Sequence, residues 1–151
     1  MLDRKDIGKS FEPVSAVVEK GRLISFASAI AEENSIYIDE LAAKKADYSA
    51  LPVPPTFLFC LKMDVPKPFE NYQSIGVSLE KLLHANQGFT YFTPTVVGDE
   101  LTFYSSVEDI YAKKGGALEF LIEKTKVENQ RGEHVADLKT TLVIRNESHE
   151  K

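Results

Sequence analysis

The chain has 151 residues, 18 Lys and Arg against 23 Asp and Glu, a formal net charge of -5 and 43% hydrophobic residues. This length predicts one domain with one core, and the acidic balance disfavours nucleic-acid binding, which needs a basic face to displace counterions from phosphates. No stretch is long and apolar enough for a membrane helix, and the single cysteine cannot form an internal disulfide, so we expect a cytoplasmic protein without a membrane span.

The first part of the chain predicts two helices. Five apolar residues recur at helical spacing and predict one buried face on a helix over residues 21–33. They are Leu23, Phe26, Ala27, Ile30 and Ala31. Asp39 is suited to cap a second, shorter helix that runs through residues 41–43, because an aspartate side chain accepts the free N–H groups of a first helical turn.

An apolar run over residues 57–63 follows Pro54 and Pro55. A segment that is apolar on all sides must be buried, but its periodicity does not separate a buried helix from a buried strand. The two prolines at its entrance favour a short central helix, because proline fits a first helical turn. Cys60 lies inside this run, and we interpret it as core packing because apolar burial raises a thiol pKa.

The second part of the chain has the period of two that is typical of half-buried strands. Three sets of residues each share a face: Leu101, Phe103, Ser105 and Val107; Leu118, Phe120 and Ile122; Leu138, Thr140, Leu142 and Ile144. Less regular strands are expected over residues 77–83 and 89–92, and glycine turns at 98, 115–116 and 132 predict antiparallel hairpins. Helices followed by such strands predict an α+β fold with the sheet wrapped around a helix. We expect one domain over residues 1–151, with a polar tail from about residue 146.

Polar residues crowd the connection after the first helix. Glu32, Glu33, Asn34, Tyr37 and Asp39 fall within one short segment. This crowding is compatible with a chemical role, and equally with a solvated helix end that carries the cap of the next helix.

Histidines are the other candidates for proton transfer. His84 would be a general acid or base if it is functional, or it is an ordinary strand histidine that bonds to a neighbour. Strand alternation places His84 on one face with Asn86 and Gly88, and Gln87 on the other face. His134, after a turn, and His149, in the polar tail, are expected at the surface.

Several enzyme signatures are absent. The sequence contains no GxSxG, Walker, GxGxxG or HExxH motif, so the usual marks of serine hydrolases, P-loop enzymes, Rossmann dehydrogenases and zinc hydrolases are missing. It also has no CxxC or His-rich spacing. We therefore expect no metal and no cofactor.

Four segments carry a resemblance to a known family. They are residues 31–39, 52–57, 83–91 and 94–101, the last with the pattern Pro-x-x-x-Gly-Asp-x-Leu. In their order and spacing the chain resembles MaoC-type hot-dog dehydratases of the fatty-acid-synthase-like branch. The resemblance implies a single hot-dog fold, usually dimeric, that binds an acyl thioester of coenzyme A or acyl carrier protein at the subunit interface. Active members, which belong to fatty acid metabolism, reversibly hydrate a trans-2-enoyl thioester to the (R)-3-hydroxyacyl thioester.

The resemblance also locates an altered motif. Active members carry Asp-x-Asn-Pro-Leu-His, and this pattern places Glu32 at the aspartate, Asn34 at the asparagine and Tyr37 at the histidine. Tyrosine, with a reference pKa near ~10, is a poor base at neutral pH. The chain therefore resembles the substrate-binding subunits of heterodimeric (R)-3-hydroxyacyl-acyl-carrier-protein dehydratases, in which the partner holds the aspartate and histidine. We expect an acyl-binding subunit, in a homodimer or in a heterodimer with a catalytic hot-dog subunit.

Five further residues are expected near the substrate because of the resemblance. Pro55, Thr56 and Phe57 would line the acyl tunnel, where N–H groups at the start of the central helix could polarise a thioester carbonyl. Thr56 could equally serve only as a helix cap. His84 and Gln87 match a polar stretch that recurs in this branch without an assigned role.

Two other functions remain open from the sequence. The chain could be an autonomous hot-dog enzyme that uses Glu32 or His84, such as an acyl-CoA thioesterase, because a fold does not fix a reaction. It could also be a non-catalytic module that binds acyl-CoA or lipid. In each case an anionic carrier needs a local basic patch, for which Lys44-Lys45 and Lys113-Lys114 are candidates.

Overall fold

An antiparallel sheet wraps around a short central helix in this computed structural model, which describes residues 2–146. The strands are β1 (Val14–Val17), β2 (Leu82–Tyr91), β3 (Glu100–Lys113), β4 (Leu118–Asn129) and β5 (His134–Arg145). The helices are α1 (Lys20–Ala29), α2 (Glu40–Lys45), α3 (Phe57–Met63) and α4 (Glu70–Ser74). The order across the five-stranded sheet is β1-β3-β4-β5-β2, with every neighbouring pair antiparallel. This confirms the predicted α+β hot-dog fold.

The central helix α3 is the run that Pro54 and Pro55 introduce, as predicted. Phe57, Leu58 and Leu61 are 0%, 1% and 3% exposed, so the helix is enclosed by the concave face of the sheet and by α1. Within residues 2–146, none of the helices combines the length and apolar character needed to cross a bilayer.

The first predicted helix is shorter than expected. Helix α1 buries Leu23 and Ala27 but ends at Ala29, and Ala31 has a left-handed φ of 53° that stops the helix. Ile30 is 49% exposed, so the last turn of the predicted apolar face does not exist. The second helix is as predicted, because the Asp39 side chain accepts the N–H of the second residue of α2 at 2.8 Å.

The predicted alternation of β3 and β5 is confirmed. On β4, the residues that line the core are the set that alternates with the predicted one. The predicted residues of β3 and β5 are all buried: Leu101, Phe103 and Leu138 pack in one cluster with α3, and Val107, Leu142 and Ile144 pack in a second cluster with Tyr72 of α4. On β4, the residues that pair with them are Glu119, Leu121, Glu123, Thr125, Val127 and Asn129. Phe120 instead lies on the outer face, where its ring stacks on Tyr111 at 4.7 Å. Because Phe120 belongs to this aromatic pair on the outer face, the apolar alternation of the sequence marked the outer side of β4 and not its core side.

Three elements differ from the prediction around the edges of the sheet. Strand β1 and helix α4 were not predicted, because four and five residues are too short for a periodic signal. The strand expected over 77–83 is wrong: residues 79–81 form a 3₁₀ turn, and β2 runs without a break from Leu82 to Tyr91. The predicted polar tail lies outside the described residues from position 147 on.

A buried charged pair joins α3 to the sheet. Lys62 of α3 is 7% exposed and donates to the carboxylate of Glu123, which is 2% exposed on β4. The hydroxyl of Tyr72 donates to the same carboxylate oxygen at 3.2 Å, and Lys62 also donates to Thr125 at 3.1 Å. Burial, reinforced by the charge of Glu123, raises the pKa of Tyr72, so its hydroxyl remains a neutral donor.

Removing one member of this pair should destabilise the protein strongly. Lys62→Met leaves the Glu123 carboxylate buried without its cation, and we expect a loss of about 3–5 kcal/mol in the free energy of unfolding. The double variant Lys62→Met/Glu123→Gln should recover much of that loss, because no charge is then left buried. Urea unfolding measures both.

The matched control for this prediction is Lys20→Met, since Lys20 forms an exposed ion pair with Glu40. This variant should leave the free energy of unfolding nearly unchanged. A loss below about 1 kcal/mol for Lys62→Met would show that the buried pair does not fasten α3 to the sheet.

Candidate functional site

A cavity of about 270 Å³, here called the tyrosine cavity, lies beside the start of α3. Its walls include Tyr37, Tyr48, Pro55, Leu58, Tyr91 and Thr95. The walls therefore combine the altered motif, the proline loop before α3 and the end of β2. These segments are far apart in sequence, and the fold brings them together.

The described side chains that line the tyrosine cavity carry hydroxyl groups but no carboxylate, amine, guanidinium, imidazole or thiol. Among the described residues that line it, none is an aspartate, glutamate, histidine, lysine, arginine or cysteine. Tyrosine and threonine hydroxyls can donate and accept hydrogen bonds, but they are not bases at neutral pH. The cavity can therefore bind and orient a polar group, and it lacks its own proton acceptor.

The three residues of the altered motif have different roles in the structure. The carboxylate of Glu32 accepts the N–H of Asn34 at 2.9 Å, and the Asn34 side chain accepts the N–H of Ile36 at 3.2 Å. Both residues thus fix the turn that leads to Tyr37. Burial, then the nearby charge of Glu32, raises the pKa of Tyr37. Tyr37 is consequently a protonated phenol at neutral pH and presents a donor to the cavity.

Thr56 begins α3 in an unusual conformation. Its φ of 74° is left-handed, and its side chain makes no capping hydrogen bond. Its backbone N–H donates to the hydroxyl of Tyr91 at 3.0 Å, so this N–H is engaged inside the cavity wall. Phe57 is fully buried and packs against Phe26 with ring centroids 5.1 Å apart. Of the three residues expected to line the tunnel, Pro55 faces the tyrosine cavity and Phe57 belongs to the core.

A second cavity of about 460 Å³, here called the apolar cavity, lies beside the other half of α3. Its walls include Phe59, Met63, Tyr72, Leu82, His84 and Leu142. The ring of His84 is exposed at the rim and stacks on Phe59 at 4.7 Å. Both cavities border α3, since Leu58 lines the first and Phe59 the second.

A bulge in β2 turns His84 towards α3. The pairing of β2 with β5 shifts between His84 and Asn86, so one extra residue interrupts the alternation. His84 consequently faces the core side together with Gln87, whereas the sequence pattern placed these two residues on opposite faces. Gln87 is half-buried and accepts the hydroxyl of Thr140 at 2.8 Å. Both residues lie away from the tyrosine cavity.

The two lysine pairs do not converge. Lys44 and Lys45 form the last turn of α2, three residues before Tyr48 of the tyrosine cavity. Lys113 lies over the outer-face rings of Tyr111 and Phe120, at 5.6 and 5.3 Å. The strand register puts Lys113 at the opposite end of the sheet from the tyrosine cavity. The two pairs therefore do not form one basic patch, and of the two only Lys44-Lys45 lies near the tyrosine cavity.

Neither His134 nor Cys60 lines the tyrosine cavity. His134, expected at the surface, is half-buried: its Nε2 lies 2.9 Å from Oδ1 of Asp137, and its ring stacks on Phe92 at 4.2 Å. Burial, then the charge of Asp64, raises the pKa of Cys60, in keeping with a packing role. His149 lies outside the described residues.

The edge of the sheet next to both cavities is open. Strand β2 pairs with β5 on one side, and within residues 2–146 no strand covers its other side. Leu83 and Tyr91 on this strand are 49% and 48% exposed. An edge of ten residues with exposed apolar side chains is a surface to which another strand can add.

The turn before β3 holds the wall of the tyrosine cavity in place. Asp99 is 5% exposed and accepts hydrogen bonds from the Thr95 hydroxyl at 2.9 Å, the Val96 N–H at 3.0 Å and Gln130 at 2.8 Å. Burial alone would raise the pKa of this carboxyl, but these hydrogen bonds and Arg131 outweigh it and lower the pKa. The Gly-Asp of the family-like turn is thus structural.

Comparisons with known proteins agree with this geometry. The family model described as "FAS1-like, dehydratase domain region" matches residues 5–138. A UPF0336 protein of Saccharopolyspora erythraea is 32% identical over 145 residues, which cover 95% of this chain and 92% of the relative. A chain of the C-terminally truncated HadBC (3R-hydroxyacyl-ACP dehydratase) complex from Mycobacterium tuberculosis superposes with a TM-score of 0.80 at 23% identity, over 91% of this chain and 96% of that one. The ChsH1-ChsH2 complex from the same organism gives a TM-score of 0.71 at 19% identity, over 93% and 90%.

Asp99→Asn should show that the Asp99 carboxylate makes the free energy of unfolding depend on pH in the acid range. A carboxyl with a lowered folded-state pKa stabilises the fold above the unfolded pKa of ~3.9, and this stabilisation is lost as the pH falls through the folded pKa. We expect the variant to lose about 1–3 kcal/mol at pH ~7, with the difference from wild type shrinking below pH ~4. Urea unfolding at pH values from ~7 down to below ~4 measures it.

The control is Glu12→Gln, which changes an exposed carboxylate outside the turn. It should unfold like the wild type across the same pH range. A difference between Asp99→Asn and wild type that stays constant as the pH falls would contradict the assigned pKa direction.

Proposed function

The chain belongs to the family of the FAS1-like, dehydratase domain region, and on that premise we propose that it is the acyl-binding subunit of an (R)-3-hydroxyacyl-thioester dehydratase. In the reverse direction this is an (R)-specific enoyl-thioester hydratase. A second chain supplies the carboxylate and imidazole that move protons. The observation that carries this proposal is the composition of the tyrosine cavity, where the described lining residues offer hydroxyl groups and no base.

The chemistry explains why a second chain is needed. Dehydration requires a base for the proton next to the thioester carbonyl, an acid for the departing hydroxyl, and donors for the developing enolate oxygen. The phenol of Tyr37, with its raised pKa, cannot serve as the base near neutral pH. The carboxylate of Glu32 is bound to the N–H of Asn34 and does not line the cavity. The hydroxyls can still orient the thioester or donate to its oxygen.

The proposed substrate lies along α3. The thioester group would occupy the tyrosine cavity, and the acyl chain would follow the open side of β2 into the apolar cavity. From Thr56 to Met63 the helix rises about 10 Å, a length that an acyl chain of medium length, such as octanoyl, can span. Aromatic and aliphatic side chains dominate the second cavity, as an acyl chain requires. His84 and Gln87 would contact the chain at the rim between the cavities.

The partner would add to the open edge of β2. A second hot-dog subunit paired there would cover the unpaired backbone groups and the exposed Leu83 and Tyr91. It would also enclose the groove along α3 and place its own residues opposite Tyr37. The similarity to chains of the HadBC and ChsH1-ChsH2 complexes supports a partner of this kind. We also propose that coenzyme A or acyl carrier protein carries the acyl group. The same proposal places the protein in the cytoplasm.

A non-catalytic acyl-CoA-binding module is the second candidate, because a cavity without a base favours it equally. The two proposals differ only in whether a catalytic partner completes the site. A thioesterase receives less support: the ring of His84 stacks on Phe59, and in the described part of the chain it has no hydrogen-bonded carboxylate to orient it.

The first test uses the purified chain with crotonyl-CoA, followed as loss of enoyl absorbance, and with butyryl-CoA in a calorimetric binding titration. We expect binding without hydration. Hydration by the isolated chain that Glu32→Ala abolishes would contradict the need for a partner. Release of free thiol from butyryl-CoA would instead identify a thioesterase.

The second test adds a catalytic hot-dog subunit that carries an intact Asp-x-Asn-Pro-Leu-His motif. If the two chains form an active complex, Tyr37→Phe and Glu32→Gln in this chain should each keep the hydration rate within about tenfold, because neither residue moves a proton. Loss of a general acid or base costs about 100- to 10,000-fold. A loss of that size for either variant, relative to Tyr104→Phe on the outer face of the sheet, would contradict the proposal. Failure of any such subunit to restore turnover would favour the binding module.

A further inference from the structure

The residues that line the apolar cavity include exposed ones at its rim and buried ones at its inner end. The rim carries Phe69 and Leu79, which are 39% and 38% exposed, together with the exposed His84. The inner end carries Tyr72 and Leu142, each 4% exposed. A chain that entered from the open edge of the sheet would therefore meet the rim first and Tyr72 last.

The strand register shows how far inside the sheet Tyr72 reaches. His84 lies on the edge strand β2 and pairs with Leu142 of β5, the next strand. The hydroxyl of Tyr72 donates to Glu123, which lies on β4, one strand further in. Two strand spacings separate β2 from β4, a depth of roughly 10 Å. Tyr72 thus closes the cavity on the side farthest from the edge.

The ring of Tyr72 is held in this position. Its hydroxyl is bound at 3.2 Å to the carboxylate that also binds Lys62, and all three groups are buried. Rotation of the ring away from the cavity would break this hydrogen bond inside the protein, where no water replaces it. A ligand therefore cannot easily push the ring aside.

We propose that Tyr72 sets the maximum length of the acyl chain that this subunit accepts, because its ring, bound through Glu123 to the central helix, closes the inner end of the apolar cavity. This inference rests on the proposed function, since it concerns the acyl chain that the groove holds. Tyr72 acts through its volume and fixed position, and it takes no part in proton transfer.

The test measures affinity for saturated acyl-CoAs from butyryl to dodecanoyl by calorimetry. In the wild type, affinity should rise roughly fourfold for each added methylene that enters the cavity. At one chain length, here called the break, the affinity should stop rising. Tyr72→Leu should move this break to chains longer by about two methylenes, because the shorter side chain opens the inner end. Tyr72→Phe should keep the break, because the ring remains.

The matched control is Tyr111→Leu, the same substitution on the outer face of the sheet, which should keep the wild-type break. If the wild type shows a clear break and Tyr72→Leu shows the break at the same chain length, the role of Tyr72 is overturned and the proposed function stays intact. No binding of any acyl-CoA by the wild type would overturn both.

A second measurement needs no enlarged cavity. With ring-labelled tyrosine, the terminal methyl of the longest well-bound acyl chain should show a nuclear Overhauser contact to the Tyr72 ring in the wild type, with the signal assigned by its loss in Tyr72→Phe. A terminal methyl that instead contacts only tyrosines of the other cavity would overturn the inference.

Discussion

The burial of one short helix controls the rest of this structure. Helix α3 is apolar on nearly all sides, and the sheet has to curve around it to exclude water from Phe57, Leu58 and Leu61. The helix also carries one lysine into the interior, which requires a buried carboxylate on the facing strand. The Lys62–Glu123 pair therefore fixes the rotation and depth of α3 against the sheet.

The position of α3 determines what the protein can bind. Its first turn meets the proline loop, the altered motif and Tyr91 at one cavity, and its last turns meet Tyr72 and the bulged part of β2 at another. Both cavities border the open edge of β2, where a second subunit can add. The same arrangement that buries the helix thus provides a groove for a linear apolar ligand and leaves proton transfer to a partner.

The sequence predicted the features that depend on local patterns. Prolines before an apolar run predicted α3, a capping aspartate predicted α2, and strict alternation predicted the inner faces of β3 and β5. The features that failed depend on contacts between distant segments. The outer stack of Tyr111 and Phe120 reversed the interpretation of β4, and the bulge before Asn86 turned His84 to the other face. The pairing of Lys62 with Glu123 was not predicted. Lys62, the single charge in the apolar run 57–63, was a usable signal, whereas Glu123 falls in the same alternate set as Glu119, which is typical of a solvated face.

The proposed function depends on an acyl thioester that lies along α3, with its carbonyl near Tyr91 and its chain towards His84. Amide chemical shifts of the labelled chain, titrated with octanoyl-CoA and with free coenzyme A, provide the test. We expect octanoyl-CoA alone to shift the amides of Thr56, Tyr91 and His84, and both ligands to leave β1 unchanged. Identical shifts with the two ligands, or shifts confined to the outer face of the sheet, would contradict the account.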